Sequence, residues 1–215
     1  MKLRDKQFFY FNGFNSAILD DYSGNPKIVA VAEYAKSRDY RFMPVSVCYR
    51  QATEQTREIL AMVGKSVGEV VFCGSSMGGW FARIVQLMLH RERPGIQSAA
   101  IGFNPAFDLG IHGHMLLGPQ QNHVTLEDYE WTSEHGAHLQ VLERGVDYAA
   151  ELPFFVYVDK GDELIGWEPS AEKHSGISRL TLYEGGCHSF EHYHEALEDF
   201  DRMTVYSQLD RMTAP

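Results

Sequence analysis

The chain has 215 residues, 44% hydrophobic and 13% aromatic, which is enough for one domain with a substantial core and too apolar for a disordered segment. Its 19 basic and 29 acidic residues leave a formal charge of −10 with no cluster of Lys or Arg, which argues against a nucleic-acid or anionic-membrane partner. Cys48, Cys73 and Cys187 are scattered without metal or disulfide spacing, and the apolar run after Met1–Gln7 is too short for a signal-peptide core or a membrane span, so a cytoplasmic location is expected.

Phe8-Phe9-Tyr10-Phe11, bounded by Asn12-Gly13, reads as a buried strand. Asn25-Pro26 then opens a helix with a cap residue and a proline at the first helical position, and Ile28, Val31, Ala32 and Ala35 repeat at helical spacing. A strand is expected from Phe42 to Val47 and a helix from Thr53 to Lys65. Glu69 to Cys73 is the third strand. The helix after it carries Phe81, Ile84, Val85 and Met88 on one stripe and stops near Arg93-Pro94-Gly95. Ser98 to Phe103 is a fourth strand, closed by Asn104-Pro105. Phe154 to Val158 and Arg179 to Tyr183 are the fifth and sixth, and a last helix is expected from near Phe190, with Tyr193, Leu197 and Phe200 facing inward.

This alternation implies βαβ crossovers. The predicted fold is therefore α/β and three-layered, with a mostly parallel sheet of about six strands covered on both faces in one domain over residues 1–215. Residues 106–152 break the rhythm. The segment is long for a crossover and holds Gly110, Gly113, Gly118, Pro119 and Gly136. A helical piece is expected from Leu126 to Arg144, and the segment reads as an insertion that lies over the sheet as a lid; an ordinary crossover with an irregular lead-in is the alternative.

Within Val70 to Ala82 the pattern Gly74-x-Ser76-x-Gly78 follows a strand and precedes a helix. That is the context of a nucleophile elbow, in which a serine sits on a strained turn above the sheet. A serine hydroxyl needs a base. Of the ten histidines, His188 follows the sixth strand, so it reaches the carboxyl rim of the sheet where Ser76 also lies. His192 and His194 fall on the following helix, and His112 and His114 have His-x-His spacing without the further ligands a metal needs. The base needs an acid, and the loop after the fifth strand offers Asp162, with Asp159 and Glu163 as rivals. The order Ser76, Asp162, His188 is that of an α/β-hydrolase. Donors for an oxyanion would be the backbone N–H of Met77, directly after the serine, and of Phe14, in the loop after the first strand.

These segments resemble the small bacterial YqiA-like esterase family. Asn12-Gly13-Phe14-Asn15-Ser16 is similar to that family's His-Gly-Phe-Asn-Ser segment, and Gly74-Ser75-Ser76-Met77-Gly78-Gly79 to its Gly-x-Ser-x-Gly-Gly elbow. Phe103-Asn104-Pro105-Ala106 resembles its Asn-Pro-Ala before the lid, while Gly161-Asp162-Glu163 and His188…Phe190-Glu191-His192-Tyr193 echo its acid and histidine regions. The resemblance implies a compact α/β-hydrolase with Ser76, Asp162 and His188 as its triad and carboxylesterase activity on short acyl esters. Asn12 departs from it, standing where the family usually has histidine.

The expectation is a cofactor-free serine hydrolase acting on a small acyl ester or thioester through an acyl-enzyme. A thioesterase or another hydrolase using the same triad is the alternative, as is a non-enzymatic interaction protein on the same fold.

Overall fold

The computed structural model describes residues 5–22 and 24–213, with side chains through Thr204. Its elements are β1 (Asp5–Phe11), α1 (Pro26–Ser37), β2 (Arg41–Val45), α2 (Ala52–Met62), β3 (Val67–Ser75), α3 (Met77–Glu92), β4 (Gln97–Phe103), α4 (Leu109–His112), β5 (Gly118–Gln121), β6 (Asp128–Trp131), α5 (Ser133–Arg144), β7 (Phe154–Asp159), α6 (Trp167–His174), β8 (Arg179–Tyr183) and α7 (Tyr193–Thr213).

Six strands form one sheet in the order β2-β1-β3-β4-β7-β8, and every neighbouring pair is parallel. Near-continuous apolar runs are what such a sheet demands, because both faces are covered. The period of two still decides which layer each side chain joins. Phe9, Phe11, Val70 and Phe72 pack with α2, α3 and the insertion, whereas Phe8, Tyr10, Val71 and Cys73 pack with α1 and α7. Pro44 is tolerated because β2 is an edge strand. The Asn25–Pro26 start of α1 is as expected: Asn25 Oδ1 accepts the N–H of Ile28.

Four expectations need correction. The insertion is not simply helical, since β5 and β6 form an antiparallel hairpin and α5 begins only at Ser133. Asn122 Oδ1 accepts from the N–H groups of Val124 and Thr125, a local turn that competes with helix, and Thr132 with His135 forms a capping box that places the helix start. α2 ends at Met62, before Gly64. The last helix starts at Tyr193, because Phe190 adopts φ 62° and stacks in the core on Phe103 at 4.8 Å between ring centroids. The crossover helix α6 was not foreseen; eight residues with a proline in the first turn carry no readable stripe.

Candidate active site

β3 delivers Ser76 to the carboxyl edge of the sheet in a strained turn. Its φ of 56° and ψ of −125° are unfavourable for a residue with a side chain, and the conformation is held from several sides. Ser76 N–H donates to Phe103 O at 2.9 Å, and Ser76 O accepts from Gly79 and Ala106 at 2.9 and 3.0 Å. The motif glycines are steric necessities: a Cβ on Gly74 would lie 2.3 Å from the carbonyl of Gly78, and one on Gly78 would lie 2.4 Å from Phe11 O.

The loops after β7 and β8 bring two more predicted residues to the same point. Ser76 Oγ lies 3.1 Å from His188 Nε2, and His188 Nδ1 lies 2.9 Å from Asp162 Oδ1. A carboxylate can only accept, so Nδ1 carries the proton and Nε2 is left free to accept from the serine hydroxyl. The Asp162 side chain is 1% exposed. Burial pushes its carboxyl up, but the bonds from His188 and from the N–H groups of Ile165 and Leu164 outweigh this and hold it below the ordinary carboxylate value. An ordered hydroxyl–imidazole–carboxylate relay of this kind can take a proton from a serine as it attacks a carbonyl.

The two rival acids are engaged elsewhere. Asp159 is fully buried; its Oδ1 lies 2.6 Å from His192 Nδ1, and its Oδ2 accepts from Glu191 N–H at 2.7 Å. Glu163 is exposed and accepts the backbone N–H of His188 at 2.9 Å, a bond that holds its carboxyl below the ordinary value. His192, expected on the final helix, instead precedes it. Among the described residues no set of His, Cys, Asp and Glu could hold a metal, and His114 Nδ1–H donates to Ile111 O.

Asn104 is a positioning residue that sequence reasoning missed. It stands at φ 42° just after β4, and its amide donates to Cys187 O and His188 O at 2.9 and 3.2 Å while its oxygen accepts from Asp159 N–H at 2.8 Å. Its visible signals were a polar residue closing an apolar strand before Pro105 and a place in the Asn-Pro-Ala segment, neither of which shows what its amide holds.

The loop after β1 passes directly over the elbow: a Cβ on Gly13 would lie 3.4 Å from Ser76 Cβ. Phe14 follows it and packs edge-on against Trp131 of the insertion at 5.2 Å. Met77 is the first residue of α3, where an N–H has no partner inside the helix. Asn12 holds its own loop, accepting from Val47 N–H at 2.6 Å and donating to Ser16 O at 2.6 Å. The β5–β6 hairpin is fastened to the same loop: the Tyr129 hydroxyl donates to Asn15 Oδ1, and Asn15 donates to Gln120 Oε1 at 2.8 Å. A cavity of about 140 Å³ lies beside it, bordered by Phe14, Ser16, Val47, Tyr49 and Tyr129. A larger one, about 680 Å³, lies at the opposite ends of the strands near Glu69, Gln97, Pro153 and Arg179, away from Ser76.

A six-stranded parallel sheet, helices on both faces and a serine elbow at its carboxyl edge define the α/β-hydrolase fold. The chain belongs to UPF0227, an uncharacterised protein family whose sequence model matches residues 7–204. Solved structures share the architecture at low identity. Est1E from Butyrivibrio proteoclasticus superposes with a TM-score of 0.69 at 17% identity, over 95% of this chain and 89% of that one. Alpha/beta hydrolase domain-containing protein 10 from mouse gives 0.60 at 18%, covering 96% and 90%. The esterase domain of a Rhodothermus marinus protein gives 0.60 at 14%, covering 96% and 88%. No curated protein matches the sequence.

Proposed function

We propose that the protein is a serine hydrolase that cleaves short-chain acyl esters through an acyl-enzyme. The observation that carries this reading is the Ser76–His188–Asp162 relay, closed at 3.1 and 2.9 Å around a serine in a strained turn. Strain of this kind costs stability and persists where the surroundings over-determine it, which is common at reactive centres.

In the proposed reaction Ser76 Oγ attacks the ester carbonyl as His188 Nε2 takes its proton. Asp162 keeps His188 in the required tautomer and stabilises the imidazolium. The N–H groups of Met77 and Phe14 receive the developing oxyanion, each donor being worth about 3 kcal/mol in the transition state. His188 returns the proton to the departing alkoxide, and water, activated by the same histidine, releases the acid. No step uses a cofactor. The short acyl part follows the resemblance to the small esterase family, since the 140 Å³ cavity beside Phe14 is not lined by Ser76 or His188.

A small soluble ester is the favoured partner over a membrane lipid or a nucleic acid, given the net charge of −10. None of the described helices is long and apolar enough to cross a membrane. The free thiols of Cys48, Cys73 and Cys187 support a reducing, cytoplasmic setting. The test is turnover of p-nitrophenyl esters of graded chain length, with acyl-CoA thioesters in parallel. Acetyl to butyryl esters are expected to react fastest, and Ser76→Ala, still folded, to lose about 10⁴-fold or more in kcat. Near-parental turnover in that variant overturns the assignment.

A further inference from the structure

Lys27 lies in the first turn of α1 yet is only 8% exposed. A cation is disfavoured there, next to the unpaired N–H groups of a helix start, and burial adds a second cost. Its ammonium points at two neutral oxygens, Ser75 Oγ at 2.8 Å and Ser189 O at 2.5 Å. Ser75 immediately precedes Ser76, and Ser189 immediately follows His188. These segments end strands that do not touch, because β4 and β7 lie between β3 and β8. No ladder hydrogen bond can therefore set the distance between them.

We propose that Lys27 is a positioning residue of the active site, joining Ser75 to Ser189 from the α1 face and so holding Ser76 and His188 at reacting distance. The inference rests on the serine-hydrolase reading above. A misplacement of about 1 Å can cost about 10²-fold in rate, so a clamp on both partners has a large effect. Methionine has a similar length and no charge. If Lys27 only filled space, exchanging it for methionine would leave the serine as reactive as before.

The charge gives the clamp a pH signature. Burial pushes the ammonium down to about 8, and the Asp159 carboxylate at the end of β7 opposes the shift. His192 shares Asp159, and the Cys73 thiol is pushed far up by burial, so it stays uncharged. Above pH 8 the amine can still donate, but its bonds lose their charge assistance and about half their strength.

The experiment follows the rate at which a fluorophosphonate labels Ser76 in the full chain from pH 6 to 10, with thermal unfolding measured on each variant and Ser76→Ala as the labelling control. The parent is expected to label and to slow above about pH 8. Lys27→Met is expected to label at least about 10-fold more slowly at pH 7.5 and to lack the alkaline fall. If Lys27→Met does not fold, Ser75→Ala decides, since it removes one anchor and keeps the lysine: labelling slowed several-fold supports the clamp, and parental labelling overturns it. A folded Lys27→Met that labels within twofold of the parent, with the same pH profile, overturns this proposal alone. An unlabelled Ser76 in the parent overturns the hydrolase reading and the clamp with it.

Discussion

Asp159, the last residue of β7, and Asp162, three positions later, carry carboxyl groups that face different histidines: Asp162 Oδ1 lies 2.9 Å from His188 Nδ1 and Asp159 Oδ1 lies 2.6 Å from His192 Nδ1. The first pair points toward Ser76. The second sits beneath the histidine loop, where Asp159 also accepts Glu191 N–H and a Cβ on Gly186 would lie 1.9 Å from its Oδ2. One carboxyl belongs to the proposed relay and the other to the contacts that hold the loop.

The two aspartates should therefore fail differently. Asp162→Asn is expected to lower kcat about 10⁴-fold with little change in thermal stability, because an amide in that place favours the wrong imidazole tautomer. Asp159→Ala is expected to lose about 3 kcal/mol of stability, since it leaves a buried N–H and an imidazole without their acceptor. Kinetics and thermal unfolding on both variants separate the roles; a folded Asp162→Asn at full activity would overturn the relay.

His174 predicts an acid-sensitive fold. It is fully buried, its Nδ1–H donates to Ser170 O at 2.8 Å, and its Nε2 has no partner between Phe107 and Phe154. Burial pushes it down to about 4. The unfolded chain binds this proton near pH 6.5 and the folded chain only near 4, so the neutral form's contribution is complete above 6.5 and is lost as pH falls toward 4. The loss is about 3 kcal/mol. Denaturant unfolding of the parent should weaken steadily across this window, and His174→Leu should flatten that slope. An unchanged slope would refute the account.

Gly78 should be intolerant of a side chain in a way that Gly176 is not. A Cβ on Gly78 would lie 2.4 Å from Phe11 O and 2.6 Å from Asn12 O, both backbone atoms, whereas Gly176 at φ 79° has open space around it. Gly78→Ala is expected to cost more than about 3 kcal/mol or to prevent soluble expression, since β1 and α3 would have to separate. Gly176→Ala is expected to cost only about 1 kcal/mol from its backbone angle. Equal stability of the two variants would contradict the close approach.

The hairpin of the insertion should tune turnover through the loop after β1. Tyr129→Phe removes the hydroxyl that Asn15 accepts while leaving the ring packed under Arg50 at 4.4 Å. With about 1 kcal/mol of support lost, kcat is expected to fall about fivefold with little change in melting temperature. A matched loss in both quantities would indicate that the hairpin only stabilises the fold.

The succession of the six sheet strands, their parallel pairing and the arrival of Ser76, Asp162 and His188 at one rim were legible in the chain, for a physical reason. Covered parallel strands must read as apolar runs, their crossovers must read as helices, and chemistry in such a sheet collects after strand ends. A residue placed just after a strand is therefore also placed on the carboxyl rim. The hairpin was not legible, because side chain-to-backbone bonds from Asn122 and the cap at Thr132 overrode a weak helical pattern. Nor could spacing alone choose between Asp159 and Asp162. One ends β7 and the other follows three positions later, and only the opposed loops decide which one meets His188.

Lys27 marks the same boundary. A lysine in the first turn of a helix is visible as an oddity in the sequence. Its contact with Ser75 and Ser189 joins residues 48 and 162 positions away, and exists only once α1 has packed beneath the strand ends. Local pattern determined which groups reach the rim of the sheet. Packing between distant segments decided which of them touch, because hydrogen-bond distance is a property of the folded core and not of the spacing along the chain.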